Sequence, residues 1–335
     1  MKIIIKERIA WIDWAKSFCM FLVILGHCHI EESDRFYSQF IYSFHMMFFF
    51  FLSGILCKRE LSLSSLRKDI QFIIIPYFSY GIILMAFNFL RSRSFEVLVF
   101  VEHIKELFVG KDITIGPIWF LPALFICKQL FLLIKKIKVY SMFSYWALFV
   151  FSLFPAHIIS DYNYNIPFFI DSALCGLPFF FLGNESLSFF NKIKMQKWYF
   201  NLSISIMLCC FSLFLSDYNG FVSMASCTIG KSIYVYYLNA YAAIIAFSML
   251  FMFLDSVRFY FITILSYGSI VSLGLHGIPL TMFNYYLPII LGKEPSTYSV
   301  FIAISYSIIT YIICYILIQI IDIHCPLFFG LKGNR

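Results

Sequence analysis

The sequence predicts an all-helical, polytopic integral membrane protein with about ten transmembrane helices and both termini cytoplasmic. Three observations carry that class. Hydrophobic residues make up 61% of the 335 and charged residues only 13%, against about a quarter charged in soluble domains, which excludes a soluble globular fold. Apolar runs of about 20 residues, each long enough at about 1.5 Å per residue to cross about 30 Å of hydrocarbon, recur along the whole chain. The basic residues cluster in short stretches between those runs, so the net charge of +7 reads as membrane topology and not as a nucleic-acid footprint.

The runs place spans at residues 9–28, 36–57, 70–90, 115–134, 143–159, 167–190, 199–215, 229–254, 259–286 and 298–321. Pro and Gly punctuate their ends, as at Gly116-Pro117 and Leu287-Pro288. No soluble insertion and no internal repeat interrupts them, so residues 1–335 read as one membrane-embedded domain. Sixteen loop Lys and Arg fall on the side of the two termini and seven on the other, which makes the terminal side cytoplasmic. Lys16 and Lys128 lie within spans. Most of the ten cysteines, Cys19, Cys127, Cys175, Cys209, Cys210 and Cys314 among them, sit in apolar runs without metal-ligand spacing and read as small buried hydrophobes. The first span carries Asp13 and Lys16 and no small-residue cleavage pattern, so it is expected to stay as a helix.

That first span, RIAWIDWAKSFCMFLVILGHCH, carries charge where a plain anchor carries none. Eleven residues at about 100° each bring Lys16 and His27 within about 20° of one helix face, and Asp13 shares the stripe. Along the axis the pair is separated by roughly 16 to 17 Å. An ionisable group in hydrocarbon costs about 2.5 to 3.5 kcal/mol, and such groups face a bundle interior or a wet cavity. The stripe is therefore expected to line something. The competing reading is a lysine that snorkels to inner-leaflet phosphates and an interfacial histidine beside His29. Asp13, one turn from Lys16, is expected to pair with it.

The second span holds His45, about nine residues from its outer start, at a depth that lets it share a cavity with His27 in a neighbouring antiparallel helix. The following loop brings Lys58, Arg59, Arg67 and Lys68 to the cytoplasmic face, as a topology signal or as an anion site. Outside lie Glu31, Glu32, Ser33, Asp34 and Arg35, a long loop from Arg91 to Asp112, and two polar turns, Asp161 to Asn165 and Asp217 to Gly220. Turn chemistry accounts for the last two, although their groups also suit sugar hydroxyls.

Together these segments resemble a known family. Lys16 followed by ten residues and His27, SFHMMFFFFLSG at Ser43 to Gly54, the basic loop leading to IIIPYF, and GPIWFLPALF at Gly116 to Phe125 resemble the acyltransferase-3 family of integral membrane O-acyltransferases. The fucose 4-O-acetylase-like branch is the most similar. PFFFLG at Pro178 to Gly183 and SYGSIVSLGLHGIPL at Ser266 to Leu280 extend the match over nearly the whole chain. The resemblance implies a ten-helix enzyme that takes an acyl group, usually acetyl, from cytoplasmic acyl-coenzyme A. It places that group on a sugar hydroxyl of an envelope polysaccharide or its lipid-linked precursor. In the family an Arg usually stands at the position of Lys16, and Lys lacks its planar fork. Met47 stands where the family often has Pro, which implies a less distorted helix near His45.

Coenzyme A has a charged nucleotide end and a long thin arm, and the Lys16 to His27 rise has the scale of that arm. Lys16, Arg67 and Lys68 are then candidates for the phosphates. His27, with an unperturbed pKa near ~6.5, is the candidate general base, or the carrier of a transient acyl group. His45 is the second catalytic candidate and His276 the third, with helix packing as its competing reading, while Trp119 is a candidate wall of the donor tunnel with core packing as its competing reading. The expected co-substrate is acetyl-CoA with no metal. The expected partners are acyl-CoA, a glycan or lipid-linked sugar and membrane lipids, with no nucleic acid, at the bacterial inner (cytoplasmic) membrane. The rival reading is a non-catalytic transporter or flippase for a lipid-linked glycan, which calls for mid-membrane coupling groups and discontinuous helices that the sequence does not display.

Overall fold

A 17-residue helix, α1 (Ala10–Gly26), forms the axis of the molecule. The computed structural model describes residues 8–28, 34–92, 97–110, 113–162, 166–290 and 298–333. His29, Glu31, Glu32, Ser33, Asn163, Tyr164 and Asn165, and the loop cations Lys2, Lys6, Arg93, Lys111, Lys293 and Arg335, lie outside those residues. At about 1.5 Å per residue α1 spans about 26 Å, near the lower limit for crossing hydrocarbon. Asp13, Ser17 and its apolar neighbours are buried, and the helix packs against elements from both ends of the chain.

The second span is broken into α2 (Arg35–Tyr42) and α3 (His45–Ile55). The missing Pro therefore does not straighten it: the chain turns at Ser43 and Phe44 directly before His45. Ser62 accepts the Ser65 N–H and so caps α4 (Leu63–Asp69), which a π-helical turn at Ile70–Ile74 joins to α5 (Ile75–Ser92). The long outer loop folds in part as α6 (Val97–Val109), tied down where Tyr77 Oη donates to the Leu107 carbonyl at 2.8 Å. A 3₁₀ segment, Ile113–Trp119, then feeds α7 (Phe120–Tyr140).

The fifth span comprises α8 (Met142–Phe151) and α9 (Pro155–Tyr162), and single helices α10 (Ile170–Lys194), α11 (Trp198–Asn219) and α12 (Ile233–Met252) follow. The ninth span breaks between α13 (Tyr260–Tyr267) and α14 (Ser269–Leu275), with a bend of 65°. It continues through α15 (Gly277–Thr281), a π-helical turn at Met282–Tyr286 and α16 (Leu287–Ile290), and α17 (Val300–His324) closes the bundle. Among the described residues eight helices are long and apolar enough to cross a membrane and the bent pair makes a ninth. These nine fall at nine of the ten predicted positions, and α1, at 17 residues, stands at the first. The sequence concealed that the ninth span is discontinuous.

Lys128, inside a span, and Lys138, at the end of α7, find acids that composition alone does not pair with them. Lys128 on α7 donates to Asp69 at 2.6 Å, and Arg59 and Gln129 reach the same carboxylate at 3.0 Å each. Glu185 on α10 accepts from Lys138 at 2.7 Å and from Tyr145 Oη at 2.7 Å. The buried Asp69 carboxylate is thus compensated on the spot, as a medium without water requires.

Candidate active site

The end of α1 opens onto a cavity of about 530 Å³. Four pieces of chain wall it: Val23, Gly26 and His27 from α1; Ser38, Tyr42, His45 and Met46 from α2 and α3; Gly116, Pro117 and Trp119 from the 3₁₀ segment; and Phe221, Ser223, Met224 and Ala225 from the turn between α11 and α12. His27 caps α1, its backbone N–H bonding to the Val23 and Ile24 carbonyls, and its side chain is exposed to the cavity. No described residue makes a hydrogen bond to that side chain.

His45 is held by the break in its span. The turn at Ser43 and Phe44 takes the Ile41 carbonyl out of the regular helical ladder, and His45 Nδ1 bonds to it at 2.6 Å. A carbonyl only accepts, so Nδ1 carries the proton and Nε2 keeps its lone pair. The same logic fixes His276 at the end of α14: Nδ1 donates to the Ser272 carbonyl at 2.8 Å and the Leu273 carbonyl at 3.1 Å. Its Nε2 is buried without a hydrogen-bond partner. The ring centroids of His276 and His27 are 5.3 Å apart. His276 stands behind His27, away from the cavity wall, and adds a second basic nitrogen to the site.

Two backbone features shape the opposite walls. Gly116 has φ +70 and ψ −153, a region open essentially to glycine alone, and it turns the chain so that Pro117 and Trp119 face the cavity. The wall carrying Phe221 to Ala225 is a tight turn closed by reciprocal backbone bonds between Ser223 and Thr228 at 2.9 and 2.8 Å. Asn219 anchors it: Nδ2 donates to the Ile229 carbonyl at 2.8 Å and Oδ1 accepts the Ser232 N–H at 3.0 Å. The Asp217 to Gly220 turn is thus structural at Asn219, whose amide is consumed within the fold.

At the other end of α1 lies a charged knot. Arg8 and Ser266 both bond to the Asp13 carboxylate, and Arg8 Nη2 also donates to Ser266 Oγ at 2.9 Å. Asp13 therefore pairs with Arg8, two residues before α1, and not with Lys16. Lys16 Nζ donates to the Ser266 carbonyl at 3.1 Å. Arg67 and Lys68 are exposed on the last turn of α4 and do not line the cavity that His27 faces.

A family model described as an acyltransferase domain, Acyl_transf_3, matches residues 9–319. The chain belongs to the acyltransferase-3 family. No curated protein and no solved structure gives a match. In this acyltransferase-3 protein His27, His45 and Trp119 meet around one cavity, with His276 packed on His27. Lys16 and Asp13 gather at the far end of α1, and Arg67 and Lys68 stand apart on the surface. Sequence reasoning missed Ser266 and the Phe221 to Ala225 wall. Their signals, a serine two residues before a glycine in an apolar run and a polar turn between spans, are too common to single out. Among the described residues no group of three His, Cys, Asp or Glu is placed to hold a metal ion.

Proposed function

We propose that this membrane acyltransferase moves an acyl group, acetyl in the simplest case, from cytoplasmic acyl-coenzyme A to a sugar hydroxyl. The acceptor is a cell-surface polysaccharide or its lipid-linked precursor, and the setting is a bacterial cytoplasmic membrane with both termini inside. The observation that carries this reading is the placing of His27: its imidazole opens onto a cavity of about 530 Å³ while its helix leads back to a cationic end. A volume of that size lies within the range of small-molecule sites, about 300 to 1,000 Å³. Tyr42, Trp119 and Phe221 offer ring faces and Ser38 and Ser223 offer hydroxyls, a mixture suited to a sugar with apolar C–H faces and polar edges.

With the positive-inside orientation the cavity belongs to the outer half of the bundle and the acyl donor approaches from the inner half. Arg67 and Lys68, exposed on α4, are available to the donor phosphates. In the transfer, the acceptor oxygen attacks the thioester carbonyl carbon. The C–O bond forms as the C–S bond breaks, and the hydroxyl proton passes to His27, which returns it to the departing thiolate. His276 and His45 set the ring and the acceptor, each locked in one tautomer by a helix carbonyl.

The break in the ninth span is the feature that would favour a flippase, since such breaks bind transported ions. Here its free carbonyl at Ser266 is taken by the protein's own Lys16, and Ser266 lies at the far end of α1 from the cavity. The decisive experiment is mass spectrometry of surface glycan from a deletion strain complemented with wild type or His27→Ala at matched membrane abundance. Restoration of one acetyl increment by wild type and its loss in His27→Ala are expected. Identical acetylation in every strain overturns the reading, and loss of glycan export on deletion moves it to transport.

A further inference from the structure

The ninth span runs beside α1, and the two are stitched at both ends: Lys16 meets Ser266, and eleven residues on, His27 meets His276, ten residues after Ser266. Between the two contacts the ninth span is broken. Its ladder runs to the Gly268 N–H on the Ile264 carbonyl at 2.8 Å and resumes with the Ser272 N–H on the Gly268 carbonyl at 3.0 Å. The carbonyls of Leu265, Ser266 and Tyr267 therefore fall outside it, as carbonyls at a helix C-terminus do. That end carries partial negative charge and favours a cation. α1 supplies one through Lys16 Nζ at 3.1 Å, while Arg8 and Asp13 hold the hydroxyl of the same serine. At the break Gly268 packs closely on α17: a Cβ there would lie 2.4 Å from the Ile318 side chain.

We propose that Lys16 is a positioning residue: by capping the free end of α13 at Ser266 it fixes the register of α14 and so the stand of His276 against His27. The proposal rests on the acyl-transfer reading for what His27 and His276 do, and on the geometry alone for what Lys16 does. It assigns the cation of the first-helix stripe to the protein's own backbone, not to the donor's phosphates. The separation of about 16 Å between Lys16 and His27 is then bridged mechanically, through a short helix of seven residues ending at Leu275, the residue before His276.

The test compares full-length wild type, Lys16→Met and Lys16→Arg in lipid nanodiscs. Amide hydrogen exchange is read by mass spectrometry, acetyl-CoA affinity by calorimetry, and glycan acetylation in cells at matched abundance. Lys16→Met is expected to speed exchange by at least about tenfold in peptides covering residues 267–276, with the other spans unchanged. It is expected to lower acetylation by at least about tenfold and to leave the acetyl-CoA Kd within about twofold. Lys16→Arg, which can donate to the same carbonyl, is expected to restore both readouts. Unchanged exchange in residues 267–276, or an acetyl-CoA Kd raised about tenfold or more, overturns the proposal. If wild type neither binds acetyl-CoA nor acetylates glycan, the acyl-transfer reading falls, and the exchange comparison still decides where Lys16 acts.

Discussion

His27 and His276 face each other with ring centroids 5.3 Å apart and planes inclined by 46°. The two rings differ in what surrounds them. His27 is exposed to the cavity, whereas His276 is fully buried, with Nδ1 bonded to its own helix and Nε2 left without a partner. An unpartnered buried nitrogen costs stability, and one retained against a candidate base points to use.

That arrangement separates the two faces of the His276 ring in an experiment. Asn at 276 can imitate the Nδ1 donor, and Gln can place an oxygen acceptor where Nε2 stands. If the lone pair serves the transfer, His276→Gln is expected to keep acyl transfer within about tenfold of wild type, while His276→Asn loses about 10²-fold or more. Glycan acetylation at matched membrane abundance reads the difference. Equal retention by both variants assigns His276 to packing.

The buried Asp69 cluster makes a prediction about stability. Asp69 holds Lys128 at 2.6 Å, with Arg59 and Gln129 at 3.0 Å, and its side chain is 4% exposed. Removing Asp69 leaves the Lys128 charge uncompensated, at about 3 to 5 kcal/mol, whereas removing Lys128 leaves Asp69 with Arg59 and Gln129. Asp69→Asn is expected to lower thermal stability in detergent sharply and Lys128→Met less, and the double variant is expected to recover much of the loss of Asp69→Asn. Additive effects of the two changes would show that the pair is not coupled.

Most of the fold was legible because hydropathy is a local property: the apolar runs located the nine candidate spans and α1, and a period of about 100° put Lys16 and His27 on one face before any contact was known. The shared cavity of His27 and His45 followed from depth in adjacent helices. Partners distant in sequence were not legible. Ser266 is separated from Asp13 by 253 positions, and nothing in the period of either helix reports the other. Proximity along the helix points Asp13 to Lys16, yet Arg8 on the chain leading into α1 reaches it first. Asp69 was hidden for a different reason: it ends a basic loop, where an acid reads as solvated until Lys128 is seen opposite it.

Gly116 offers a test of backbone shape without a contact. A Cβ at that position would meet nothing within 4 Å, so only its φ of +70 resists substitution. Gly116→Ala is expected to cost about 1 to 3 kcal/mol and to shift the wall carrying Pro117 and Trp119. Gly277→Ala, which also meets nothing within 4 Å and has an ordinary φ, is expected to leave stability nearly unchanged. Equal melting temperatures for the two variants would remove the case for a strained turn at Gly116.

Asn219 tests whether the wall between α11 and α12 is needed at the site. The residue is 1% exposed and its amide spans the turn from the Ile229 carbonyl to the Ser232 N–H, a closure that places Phe221, Ser223, Met224 and Ala225 on the cavity. Asn219→Ala removes both bonds and leaves a buried carbonyl and N–H unsatisfied, at about 1 to 3 kcal/mol each. Asn219→Asp keeps the acceptor for Ser232 but sets a carboxylate oxygen against the Ile229 carbonyl, so it is expected to fare no better. Because the turn stands between two long helices that pack on each other, the bundle is expected to survive while the wall loosens. Limited proteolysis should then cut within residues 220–232 faster in both variants, and acyl transfer should fall in the same order as protection is lost. A variant that is cut rapidly yet transfers at the wild-type rate would show that this wall encloses the cavity without serving the reaction.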